Sequence, residues 1–198
     1  MKIGIIGAGN IGQAFAKHAV TTGNEVVISN SKGAESLTGI RQQIGKGLRA
    51  GSVQEAAEAD IILLAVPWEK AEQVIKSISS WKGKILLDAT NAISFPEFKP
   101  LDLGNTTSSE IIASLIPDAH VIKAFNTLPA ALLTANPQEG AGHRVIFYSG
   151  DNSSVKAQIE DLLTKMGFAG IDLGTLAVGG KLQQFGGPFT AKNLLKLS

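Results

Sequence analysis

Gly7-Ala8-Gly9-Asn10-Ile11-Gly12, near the start of the chain, has the spacing G-x-G-x-x-G, and glycine at each of those places has a use. The first permits a tight turn, the second lets the backbone approach a pyrophosphate, and the third lets a following helix sit close to a strand. The amides and the positive dipole end of that helix then attract phosphate. The spacing alone is a weak signal. Here it directly follows the apolar KIGII and opens a segment in which Ile11, Ala14, Phe15 and Ala19 recur at helical intervals, which is the strand, turn and helix that the motif requires. A bound dinucleotide is the expectation, and a glycine turn without ligand is the alternative.

The choice of dinucleotide is made at the end of the second strand. Sites for NAD place Asp or Glu there to accept from the ribose 2′-hydroxyl, whereas this sequence reads Ile28-Ser29-Asn30-Ser31-Lys32-Gly33. Ser29, Asn30 and Ser31 offer short donors and Lys32 a point charge for a 2′-phosphate, with Arg41 a more distant reinforcement. NADP(H) is therefore expected. The competing reading is a polar turn, which would bind NAD and NADP alike.

Ligands of open α/β sheets lie beyond the carboxyl ends of the strands, and three further segments belong there: Ala65-Val66-Pro67-Trp68, Asp88-Ala89-Thr90-Asn91 and Lys123-Ala124-Phe125-Asn126-Thr127. Asn126 and Asn91 are candidates to hydrogen-bond a nicotinamide ring or ribose, and Pro67 and Trp68 to wall the pocket. Trp68 reads equally well as helix-start packing. His18, His120 and His143 have neither metal-ligand spacing nor the placement of a proton donor, and the absence of cysteine removes thiolate chemistry. No metal is expected.

These residues need a scaffold of alternating strands and helices. Apolar runs at Ile3 to Ile6, Val26 to Ile28, Ile61 to Val66, Ile85 to Leu87, His120 to Lys123 and Val145 to Tyr148 have helical stretches between them, which predicts an α/β, doubly wound Rossmann-type fold with a mostly parallel sheet. Gly23 should end the first helix. Ser52 with Glu55, and Thr107 with Glu110, have capping-box spacing, so helices should start near residues 53 and 108. Pro129 suits the first turn of another helix. A helix from Ser153 to Met166, a strand near Ala169 to Leu173 and helical pieces broken at Gly186, Gly187 and Pro188 should follow. Residues 92–106 read as a long connection that walls the substrate site.

The chain's 198 residues suit one domain, with a core over 1–150 and a short C-terminal helical extension over 151–198. A net charge of +1 with scattered lysines and arginines offers no stripe for nucleic acid. No apolar run reaches the roughly 18 residues that span a bilayer, and Met1 leads at once into a strand, so a cytoplasmic protein without a membrane partner is expected.

Taken in order, GAGNIG, SNSKG, AVPW, DATN, GNTTSSE, KAFNT, SGD and MGF…DLG resemble the family of NADPH-dependent coenzyme F420 (8-hydroxy-5-deazaflavin) reductases, which is related to the oxidoreductase domain of the STEAP ferric reductases. The resemblance implies that Gly7, Gly9, Asn10, Ile11 and Gly12 hold the pyrophosphate and Ser29 to Lys32 the 2′-phosphate. It also implies that Val66 to Trp68 meet the adenosine side and that Ala124 to Thr127 approach the nicotinamide. Many members carry an arginine where this chain has only Lys32, and FGGPF at 185–189 has no counterpart in the family pattern. The implied activity is hydride transfer between NADPH and a deazaflavin or flavin acceptor by a homodimer. A non-catalytic NADP(H) sensor is the alternative. A hydroxyacid or imine dehydrogenase is disfavoured, since the residues after Gly150 leave no room for the helical domain such enzymes add.

Overall fold

The computed structural model describes residues 1–197. Strands β1 (Lys2–Ile6), β2 (Glu25–Ser29), β3 (Leu48–Ala50), β4 (Ile61–Leu64), β5 (Ile85–Asp88) and β8 (His120–Ala124) pair in parallel in the order β3-β2-β1-β4-β5-β8. Crossovers through α1 (Asn10–Ala19), α2 (Thr38–Ile44), α3 (Val53–Ala57), α4 (Trp68–Lys76) and α5 (Ser108–Leu115) cover both faces. Because helices lie on either side, the central strands are apolar at consecutive positions. Ile3, Ile5, Ile61 and Leu63 point into one core with Phe15, while Ile6, Ile62 and Leu64 point into the other with Ile75 and Ile112. Burying a side chain of this size contributes about 1.5–3 kcal/mol, so the middle of the sheet is the most firmly held part of the molecule.

The expected helix signals act locally. Helix α1 presents Ala14, Phe15 and Ala19 to the sheet and passes through a short 3-10 turn to Gly23, whose φ of +74° ends it. Ser52 and Thr107 form full capping boxes with Glu55 and Glu110. Pro129 caps α6 (Ala130–Thr134) from just outside rather than within its first turn.

The last third departs from simple alternation. Strand β10 (Gly142–Gly150) contains the expected Val145–Tyr148 run but lies antiparallel to β8, pairing through Tyr148–Gly150. Its first residues run beyond that span, beside β9 (Gln138–Glu139) and β12 (Leu195–Leu197). Helix α7 (Ser153–Lys165) returns the chain to β11 (Ala169–Asp172), parallel to β10 at the sheet edge. Helix α8 (Leu176–Gln183) then packs back across β8 and β10. Within 92–106 the chain folds into a hairpin, β6 (Ile93–Ser94) with β7 (Lys99–Pro100), where a continuous loop was expected. Its exposed Phe95 and Phe98 rings meet edge to edge-face at 4.9 Å.

Candidate functional site

Strand β1 is buried and hydrogen-bonded on both sides, so the turn at its end has a fixed base. Gly7 has φ +110°, and a Cβ there would lie 2.2 Å from the carbonyl of Ala65; at Gly12 a Cβ would lie 1.9 Å from the carbonyl of Gly7. Both positions exclude a side chain for reasons internal to the fold. Gly9 differs: nothing lies within 4 Å of a Cβ built there. It caps α1 without a side-chain hydrogen bond, leaving the first amides of the helix open to an anion beside vacant space. A nucleotide pyrophosphate fits such a cradle.

From this turn a cleft of about 630 Å³ runs toward the end of β2. Asn30, Ser31 and Lys32 line one side; Ala65, Val66 and Pro67, then Lys70 and Gln73 of α4 and Ser77 at its C-terminal cap, line the other. Among the described residues that line it, none is acidic. This suits a 2′-phosphate and disfavours the carboxylate-to-ribose contact of NAD sites.

Two expected donors are corrected. The hydroxyl of Ser29 is fully buried and donates to the carbonyl of Ile5 at 3.0 Å, because its side chain alternates inward at the end of β2. Asn30 lines the cleft, but its side chain organises the loop, accepting from the Lys32 amide at 2.9 Å and donating to the Ser36 hydroxyl at 2.9 Å. Ser31 and the Lys32 ammonium remain exposed toward the cleft. Arg41 is not part of its lining. Trp68 is also corrected. As the first residue of α4 it packs against the second core and lines a separate groove with Ile111, Ile112 and Leu115 of α5, so it does not wall the nucleotide cleft.

At the ends of β5 and β8 the structure brings Asn91 and Asn126 together. Asn126 Nδ2 donates to Asn91 Oδ1 at 3.0 Å and to the Gln183 carbonyl at 2.8 Å, while Asn91 Nδ2 donates to the Asn126 carbonyl at 3.0 Å. Asn126 Oδ1 is buried without a protein partner, and a buried acceptor of that kind calls for a donor from outside the chain. Ala124 and Phe125 are core residues. Phe125 has φ +63°, is buried, and meets Phe15 edge-on at 5.0 Å, so its ring is not offered to a ligand.

An ion pair beneath these loops escaped sequence reasoning. Lys123 and Asp88, both fully buried, meet at 3.0 Å; Lys123 also donates to the Thr90 carbonyl at 2.5 Å, and Asp88 accepts from the Thr90 amide and hydroxyl and from Ser109. The pair fixes the DATN loop from below. Gln183 does similar work from α8: its Nε2 donates to the carbonyls of Lys123 and Phe147, and its Oε1 accepts from Ser149. The FGGPF segment is then held by Phe189 stacked on Phe147 at 4.2 Å and by the Ala191 amide donating to Thr127. His18 and His143 serve packing, and His120 is exposed. His18 Nε2 lies 2.7 Å from the Leu133 carbonyl and His143 Nδ1 2.8 Å from that of Gly167. Among the described residues, no group of His, Cys, Asp and Glu could hold a metal ion.

A glycine turn joining a doubly buried strand to an open helix N-terminus, at the carboxyl edge of a doubly wound sheet, defines a dinucleotide-binding protein of the Rossmann type. Residues 2–92 match the family model described as NADP oxidoreductase coenzyme F420-dependent. Over these residues the chain resembles that family of NADP-dependent oxidoreductases. It is 30% identical over 178 residues to metalloreductase STEAP3 of Rattus norvegicus, covering 89% of this chain and 34% of the relative; the chain thus spans about a third of the length of the curated relatives it matches. A hypothetical protein of Sinorhizobium meliloti superposes with a TM-score of 0.94 at 46% identity, over 99% of this chain and 96% of that one. An Arthrobacter sp. FB24 protein described as an F420-dependent NADP-reductase shares the fold, with a TM-score of 0.78 at 24% identity over 89% and 86% of the two chains.

Proposed function

We propose that this chain binds NADP(H) at the glycine turn and exchanges hydride between it and a planar acceptor of the deazaflavin (coenzyme F420) or flavin type. The observation that carries the reading is the space at Gly9, beside uncapped helix amides and at the head of a cleft whose described lining has no carboxylate. When bound, NADPH supplies two electrons and one proton as hydride, and the acceptor takes its second proton from water.

The residues of the chain bind and orient. Gly9, Asn10, Ile11 and Gly12 hold the pyrophosphate, Ser31 and Lys32 the 2′-phosphate, and Ala65, Val66 and Pro67 the adenosine side. Asn126 and Asn91 set the nicotinamide, with the free Asn126 Oδ1 as the acceptor for a ligand N–H group. Transfer between two flat rings needs stacking at about 3–3.5 Å more than it needs an acid or base. That requirement agrees with Asp88 and Lys123 being paired with each other below the loops, and it disfavours a hydroxyacid or imine dehydrogenase, in which a proton donor must meet the substrate.

Calorimetric titration with NADPH and NADH, followed by addition of coenzyme F420, FMN and FAD while the nicotinamide absorbance is monitored, tests the reading. Tighter binding of NADPH with consumption by one acceptor supports it and names the acceptor. Binding without turnover favours a sensor, and no binding removes the site. The reading includes a homodimer whose neighbouring subunit walls the open nicotinamide end; the exposed Phe95, Phe98 and Leu101, in the segment that follows Asn91 in sequence, support it, and a monomer in light scattering refutes it. A cytoplasmic setting, without nucleic acid or membrane partners, belongs to the same proposal because it offers access to the cellular NADPH pool. No helix among the described residues is long and apolar enough to cross a membrane.

A further inference from the structure

The SNSKG loop brings one cation to the adenosine end of the cleft, and its own geometry limits what else it brings: the Lys32 amide and the Asn30 side chain are used within the loop, and the Ser29 hydroxyl is buried. A phosphate monoester carrying close to two negative charges needs more. Facing this loop is α4, and the direction of its side chains is informative. Pro67, Lys70, Val74 and Ser77 follow helical spacing and line the cleft, whereas Ala71 and Ile75 are buried beneath. The two acids on the first turns, Glu69 and Glu72, turn away to the separate groove shared with α5, where Glu72 pairs with Lys76. The helix thus sorts its charges, carboxylates outward and Lys70 inward.

We propose that Lys70 is a second phosphate-binding cation, which grips the 2′-phosphate of NADP(H) from the wall opposite Lys32 and supplies the selectivity that the loop lysine alone lacks. The inference rests on the nucleotide-site reading above. Neither lysine makes an ion pair among the described residues, and both face a cleft floored by Ile6, Val53, Val66 and Val74. Two like charges held across an apolar floor repel each other; a dianion between them reverses the sign of that interaction and gains from both. One lysine replaces the paired contacts of an arginine poorly, because an ammonium is a point charge without a planar fork. Two lysines from opposite walls can meet different phosphate oxygens, a geometry that one lysine cannot offer.

The test is calorimetry of NADPH and NADH with the full chain and with Lys70→Gln, Lys70→Arg and Lys32→Gln, each checked for an unchanged melting temperature. Lys70→Gln should weaken NADPH about tenfold while changing NADH less than about twofold, as expected for loss of one charge-assisted contact. Lys70→Arg should restore the preference. Because both lysines are exposed, the wild-type preference should fall as salt is raised, and the fall should be shallower in Lys70→Gln. A preference that survives Lys70→Gln, or equal losses for the two nucleotides, removes the role of Lys70 and leaves the nucleotide site standing. Failure of the wild-type chain to bind NADPH at all removes the site and this inference together.

Discussion

Gly9 and Gly12 stand three residues apart in one motif and exclude side chains for opposite reasons. At Gly12 the obstacle is the protein, since a methyl group would collide with the Gly7 carbonyl. At Gly9 the obstacle would be the proposed nucleotide, since the protein leaves the space open and its φ of −72° suits any residue. Gly9→Ala should therefore fold with a loss of under about 1 kcal/mol, the scale of an N-cap change, yet bind NADPH at least about tenfold more weakly. Gly12→Ala should lower stability by about 1–3 kcal/mol, as overpacking does. Urea denaturation beside calorimetry separates the two, and similar stability losses in both variants would show that the space at Gly9 is not kept for a ligand. The inward direction of the Ser29 hydroxyl and of the Phe125 ring was not legible in the sequence, because a residue's direction at a strand end depends on the register of the whole sheet. Lys70 was missed for a related reason: its relevance depends on the phase of α4 against a loop far away in sequence.

At the scale of elements, the parallel half of the sheet was legible because strands buried on both faces leave continuous apolar runs, and the helix starts were legible because capping boxes act within four residues. The direction of β10 was not, since an apolar run marks a strand without saying which way it crosses the sheet. The Asp88–Lys123 pair was hidden likewise, its partners meeting only once β5 and β8 lie side by side. One link between elements titrates. His18 on α1 is buried and donates from Nε2 to the Leu133 carbonyl on α6, and burial pushes its pKa below the ordinary 6.5. The folded state thus resists a proton that the unfolded chain accepts near pH 6.5, so this contribution is complete above that pH and declines as pH falls below it. Urea midpoints measured at about pH 7.5 and 5.5 should converge in His18→Gln relative to wild type; an unchanged difference would assign the acid sensitivity elsewhere.

For the whole molecule, the segment after α7 is structural and not an appendage. Gln183 reaches the carbonyls of both β8 and β10, its own carbonyl holds Asn126, and Phe189 and Ala191 tie the following residues to the same region. Replacing Gln183 with alanine strands the Ser149 hydroxyl and two carbonyls in the interior. A loss of about 2–4 kcal/mol in urea denaturation is expected, well above a typical surface substitution. A loss under about 1 kcal/mol would mean that water substitutes for the side chain.

The central strands β1, β4 and β5, hydrogen-bonded on both edges and covered on both faces, stand next in sequence to the loops of the proposed nucleotide site. Their amide protons should exchange with deuterium only when the whole molecule opens, while those of residues 9–12 trade with solvent through small local excursions. Stiff and soft backbone thus meet at Gly7. Nucleotide binding can then be followed as a slowing of exchange confined to the turn, an internal clock read against strands whose own rates rise and fall only with global stability.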